Sequence, residues 1–239
     1  KVGGAFCMGA GGERSLILTN FEESFEAVST LAHELGHAYH NFCLARRPPS
    51  LRKVPMTLAE TASIMNETVV VEAALEVLPA EEGLLVLDGW LTGAAQVVGD
   101  IYSRFLFESW VFEARKGREL SGREFKELMV RAQDEAYGEA LKSRHPYMWA
   151  VKGHYYGSDF YNYPYAFGLL FGLALYETHR QEKAGFLERY EDLLASSGQY
   201  TAKELGARFG FDLESPDFWR RGVKVIEERV EALGRRLNG

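Results

Sequence analysis

Apolar residues recur every three or four positions along most of this 239-residue chain, a spacing that commits it to packed helices before any other feature is considered. From the N-cap Ser24, the residues Val28, Leu31, Leu35 and Phe42 keep that period until Pro48-Pro49 stops it, which predicts a first long helix over 25–46. Thr57-Leu58-Ala59-Glu60 has the form of a capping box, and Leu58, Ala62, Met65, Val69 and Ala73 carry the pattern on to residue 78. Further helices are expected over 84–116, punctuated by Gly89, Gly93 and Gly99, and over 122–141, opened by the capping box Ser121-Gly122-Arg123-Glu124. Three more follow over 165–180, 186–196 and 216–237, the last started by Ser215-Pro216. Only Ser15-Leu16-Ile17-Leu18-Thr19-Asn20, inside the glycine-rich opening 1–23, reads as a strand. No repeat, low-complexity tract or Pro/Ser linker divides the chain. The expectation is one mostly α domain over 1–239 with a small β element near the N-terminus.

Composition narrows the partners. A net charge of −7, from 27 Lys and Arg against 34 Asp and Glu, gives no electrostatic reason to expect nucleic acid or an anionic membrane surface. The two cysteines, Cys7 and Cys43, are too few for a disulfide scaffold and match no zinc-ribbon spacing, so both read as reduced thiols. The richest apolar stretch, 167–176, is short and broken by Gly168 and Gly172, and no run is expected to reach the ~20 residues of a membrane helix. The chain opens Lys1-Val2-Gly3-Gly4, with neither Met nor a basic-then-apolar leader, so a cytoplasmic location is expected, with a piece absent upstream.

The chemistry concentrates in His33-Glu34-Leu35-Gly36-His37, an H-E-x-x-H run in the middle of the first predicted helix. A spacing of four puts both imidazoles on one helix face, about one turn apart, where they can share one ion. Zn2+ takes tetrahedral N and O ligands, so two histidines supply half a site. Glu34, between them, is placed to take a proton from a water that the metal activates. A third ligand is expected on the second helix, where Glu60 follows His37 by 23 positions and Glu67 lies two turns further along the same face. Spacing does not rank the two: one ligates and the other orients a ligand imidazole, and Glu60 has the competing reading of a capping-box residue. His40 is offset from the metal-facing stripe, and His145 and His179 read as ordinary surface or core residues.

A second cluster runs from His154 to Tyr165 and carries five tyrosines. Five buried hydroxyls would all need partners, which makes a purely structural role costly. His154, Tyr161 and Tyr165 are therefore candidates to donate hydrogen bonds to the oxyanion of a tetrahedral intermediate.

Taken together, the motif His33-Glu34-Leu35-Gly36-His37-Ala38-Tyr39-His40, the stretch Met56-Thr57-Leu58-Ala59-Glu60-Thr61-Ala62-Ser63 with Asn66-Glu67, and His154-Tyr155-Tyr156 with Phe160-Tyr161-Asn162-Tyr163-Pro164-Tyr165-Ala166-Phe167-Gly168 resemble the thimet oligopeptidase group of metallopeptidases, its oligoendopeptidase F branch above all. The similarity extends from Gly3-Gly4-Ala5-Phe6-Cys7 to Ser215-Pro216-Asp217-Phe218-Trp219. It implies a zincin-like helical catalytic domain in which His33, His37 and Glu60 hold zinc and Glu34 is the general base. His154 and Tyr165 are implied to bind substrate or stabilise the oxyanion, with Tyr161 a looser match. Short peptides are the implied substrates. Family members are much longer chains whose upstream helical portion forms the opposite wall of a channel, so self-association or a partner covering the cleft is a further expectation. The resemblance also leaves room for an exopeptidase of carboxypeptidase type, and for a zinc-stabilised peptide-binding fragment without turnover.

Overall fold

The computed structural model describes residues 4–157 and 159–238; Lys1, Val2 and Gly3, which opens the Gly3–Cys7 stretch quoted above, and Ser158, within the tyrosine-rich segment, lie outside them. As the periodicity predicts, the chain is mostly helical. The elements in order are β1 (Phe6–Gly9), β2 (Ser15–Leu18), α1 (Phe25–Leu44), α2 (Thr61–Val77), α3 (Ala80–Ala95), α4 (Ile101–Arg115), α5 (Gly122–Tyr137), α6 (Met148–Val151), α7 (His154–Gly157), α8 (Tyr163–Gln181), α9 (Phe186–Ser196), α10 (Ala202–Phe209) and α11 (Pro216–Asn238). Where the sequence reads as one domain, the folded chain groups into two compact units: Lys1–Leu91 with Phe167–Gly239, and the intervening Thr92–Ala166.

In the first unit β1 pairs antiparallel with β2, Phe6 opposite Leu18 and Met8 opposite Leu16. The sequence shows only β2, because the glycines around residues 6–9 hide a strand of four residues. Asn41 of α1 ties the hairpin down by donating to Ser15 Oγ at 3.1 Å. The core is built from α2, α8, α9, α10 and α11, with Leu58, Phe171, Leu175, Leu194 and Leu205 at most 1% exposed. Helix α10 was not anticipated, although Thr201 and Glu204 form a complete capping box at its start.

Two expectations are corrected. The capping box read at Thr57 and Glu60 does not form: Met56–Leu58 is a short 3-10 turn, and Glu60 is itself the N-cap of α2 with no side-chain cap bond. Its carboxylate is engaged elsewhere, with a hydroxyl and two imidazoles described below. The second concerns the segment read as 84–116. It runs from Ala80 to Arg115 as one helix, with a π turn at Gln96–Asp100 that holds Gly99, and by length and composition it suffices to cross a membrane, with a window of mean hydropathy 1.3, where no run of that length was expected. Asp88, Asp100, Arg104 and Glu108 lie along it, and each would be costly in hydrocarbon.

The second unit has its own small core, Phe107 and Val111 of α4 against Met129 and Ala132 of α5, flanked by Trp110, Phe125 and Trp149. The expected capping box at Ser121 and Glu124 is present in both directions.

Helix α1 meets α2 without space for a side chain. A Cβ on Gly36 would lie 2.5 Å from the Ala62 carbonyl oxygen and 2.6 Å from Ser63 Cα, and Asn66 Nδ2 crosses the same gap to donate to the Ala32 carbonyl at 2.6 Å. Both obstacles are backbone, so a methyl group here has to push the helices apart. Gly36→Ala should cost about 1–3 kcal/mol, read as a lower midpoint in chemical denaturation; a variant as stable as the parent would contradict this packing.

Candidate metal centre

The α1–α2 crossing brings His33, His37 and Glu60 together. Glu60 Oε2 lies 3.2 Å from His33 Nε2 and 3.5 Å from His37 Nε2, and the three ligand atoms fall within 4.8 Å of one another. The two rings stand 4.9 Å apart and nearly perpendicular, as expected of residues one turn apart on a helix face. Helix α8 closes on the Glu60 stem from its other side: a Cβ on Gly168 would be 2.7 Å from Glu60 Cβ, and one on Gly172 would be 2.7 Å from Ile64 Cγ2. Gly168 and Gly172, read in the sequence as interruptions of an apolar run, are contact surfaces.

Hydrogen bonds set the charges. Ser63 Oγ donates to Glu60 Oε2 at 2.7 Å, and the second nitrogen of His33, Nδ1, lies 3.3 Å from Glu67 Oε2. Glu67 thus meets the far side of one imidazole and Glu60 the near side of both. A carboxylate at Nδ1 holds the proton there and leaves Nε2 as the ligand atom. Burial raises the Glu60 carboxyl, but His33, Ser63 and His37 outweigh it and hold the group down at about 2. Burial likewise opposes charge on His33, yet the bonds to Glu60 and Glu67 push it up to about 10, whereas His37 is lowered, by burial first. An ion entering this site displaces a proton from an imidazole.

The donor set suits a small divalent cation. Tetrahedral ligands ~2.0–2.1 Å from zinc sit ~3.3 Å from one another, and the two N···O separations at Glu60 are 3.2 and 3.5 Å. Glu34 is 7% exposed, and its Oε2 has no hydrogen-bond partner within the protein. A buried orphaned acceptor is costly unless something outside the chain meets it. No other group of this kind occurs among the described residues.

His154, Tyr161 and Tyr165 belong to the second unit and come together there. The His154 ring stacks on Tyr165 at 5.8 Å and lies 5.0 Å from Tyr161. His154 and Tyr165 line a cleft of about 420 Å³ with Gln96, Asp100, Arg104 and Lys152. In the same segment Phe160 has φ of +50°, rare for a bulky residue, with its N–H donating to Glu108 Oε1 at 2.8 Å. Burial raises the Glu108 carboxyl, against the pull of that N–H.

The sequence model of peptidase family M3 matches residues 1–225. The chain belongs to that family. An oligoendopeptidase F homolog of Lactococcus lactis is 27% identical over 98% of this chain, and oligopeptidase PepF of Bacillus subtilis is 26% identical over 98%. The chain spans 39% and 35% of the length of those two relatives. Among solved structures, a putative peptidase from Chlamydophila abortus superposes with a TM-score of 0.86 at 25% identity, over 98% of this chain and 40% of its own. The oligoendopeptidase-F of Enterococcus faecium shares the fold with a TM-score of 0.75 at 23% identity, over 90% of this chain and 40% of its own.

In this M3 chain several residues near the candidate sites escaped the sequence reading. Gly36 had a signal, since glycine inside a helix costs ~1 kcal/mol against alanine and asks for a reason. Arg104 had one too, as a cation within a largely apolar helix. Ser63 had none. His40, offset from the stripe as expected, is 4% exposed and lies 2.8 Å from Ser197 Oγ by Nε2. The Ser197 hydroxyl donates to the Leu194 carbonyl, so it accepts from His40. Burial, with His37 nearby, lowers the His40 imidazole to about 4 and keeps it neutral. Ser197→Ala should therefore destabilise by about 1–3 kcal/mol while metal content stays at the parent level. Loss of metal alongside stability, by elemental analysis, would place His40 in the metal centre instead.

Proposed function

We propose that this chain is a zinc-dependent endopeptidase acting on short peptides, with His33, His37 and Glu60 as metal ligands and Glu34 as general base. The observation that carries the reading is the convergence of two imidazoles and one carboxylate, their ligand atoms within 4.8 Å of one another, with a buried, unpartnered Glu34 oxygen on the same helix turn. Membership of family M3 and the names of its relatives support a peptidase acting on oligopeptides.

Zinc, when bound, lowers the pKa of a water toward ~7 and polarises a carbonyl. Every remaining step belongs to the protein. Glu34 takes a proton from the attacking water as its oxygen bonds to the scissile carbonyl carbon. The same carboxyl returns that proton to the amine nitrogen as the C–N bond breaks, so a carboxylic acid and an amine leave. Glu67 keeps His33 oriented through Nδ1, and Ser63 steadies the Glu60 oxygen that serves as ligand. To His154, Tyr165 and Tyr161 we assign, from the sequence motif, contact with the substrate or stabilisation of the oxyanion.

Glu34→Gln separates metal binding from turnover, because glutamine keeps the shape and cannot carry the proton. The variant should retain one zinc per chain and cleave an internally quenched short peptide roughly 10²–10⁴-fold more slowly. Equal turnover in parent and variant would remove Glu34 from the mechanism.

A further inference from the structure

How the second unit prepares His154 goes beyond its assignment to substrate contact, and rests on that reading. The side chain of Arg104 is 8% exposed and is held at Nη2 by Asp100. A guanidinium carries donors only. Its Nη1 lies 3.1 Å from Asn162 Oδ1, in a pair that is fully buried, with Asn162 1% exposed. An amide nitrogen in that position would set donor against donor, so Arg104 dictates which way the Asn162 amide faces.

That choice propagates to the histidine. The same Asn162 oxygen lies 3.1 Å from His154 Nδ1. An amide oxygen only accepts, so the proton of the neutral imidazole sits on Nδ1. The competing arrangement, with Nδ1 accepting from Arg104 Nη1, is longer, at 3.5 Å, and at the limit of a hydrogen bond. One oxygen with two lone pairs satisfies both donors, and His154 is left with one ring nitrogen for a ligand.

We propose that Arg104 and Asn162 are positioning residues that hold neutral His154 as its Nδ1–H tautomer, leaving Nε2 as a hydrogen-bond acceptor for a backbone N–H of the bound peptide. In this state Nε2 carries no proton to offer an oxyanion. That donation falls to a hydroxyl, and Tyr165 lines the same cleft. The role of His154 then changes from oxyanion donor to reader of the peptide main chain.

The tautomer is directly observable by nitrogen–proton correlation NMR on the full chain with isotope-labelled histidine, His154 being assigned by the signal lost in His154→Gln. With the imidazole neutral, the parent should show a protonated Nδ1 and a bare Nε2. Asn162→Asp, which keeps an acceptor in place, should preserve that pattern, and Asn162→Leu should invert it. A parent protein with Nε2 protonated overturns the proposal without any folding question, as does an Asn162→Leu variant that keeps Nδ1–H. Adding a short peptide to the Glu34→Gln protein should shift the Nε2 resonance. The expected tautomer with no response to peptide would overturn the acceptor role and the reading of His154 as a substrate residue, leaving the metal centre untouched.

Discussion

The candidate site depends on how closely two helices pack. At Gly36 the backbone of α1 lies against Ala62 and Ser63 of α2 with no room for a methyl group, one residue before His37 and two or three after Glu60. That approach lets a carboxylate at the start of α2 reach imidazoles on the face of α1. A leucine-sized spacer would separate the axes by the usual 8–10 Å or more, and the Glu60 oxygen would no longer lie 3.2 and 3.5 Å from two histidine nitrogens. Gly36 therefore sets the distance between the two helices, and Gly168 and Gly172 repeat the device where α8 meets the same segment.

Packing fixes positions, and hydrogen bonding fixes states. Glu60 is surrounded by Ser63 and two imidazoles that keep it ionised despite burial, and Glu67 takes the outer nitrogen of His33 so that the inner one faces inward. In the second unit the same logic operates: Asp100 holds Arg104, Arg104 orients Asn162, and Asn162 sets the proton on His154. Each chain of contacts runs from a charged side chain to an imidazole. In both, the informative residue is the one behind the histidine.

Much of this was legible before the structure. Helical periodicity located α1, α2, α5, α8, α9 and α11, because an amphipathic stripe is a property of the local sequence. Capping boxes were a less even guide. Ser121 and Glu124 form one, Thr201 and Glu204 form one that went unread, and Thr57 and Glu60 form none, since Glu60 has stronger partners than backbone amides. The H-E-x-x-H spacing located two imidazoles on one face, but spacing along α2 left Glu60 and Glu67 open. Their difference lies in the crossing of two helices, which no local pattern records. Asn162 and Arg104 are 58 positions apart, and their pairing is likewise a product of tertiary folding. The helix read over 84–116 is present as Ala80–Arg115, and its membrane-spanning length was missed because glycines that stop an isolated helix are carried within a folded one.

The central claim is that two imidazoles and one carboxylate, and no other side chains, hold a single zinc ion. X-ray absorption at the zinc edge of the metal-loaded chain tests it without reference to activity. The account predicts two nitrogen scatterers from imidazole at ~2.0–2.1 Å and oxygen scatterers at ~2.0–2.2 Å, with one imidazole lost in His37→Ala. A sulfur shell at ~2.3 Å, or a first shell that His37→Ala leaves unchanged, would contradict it.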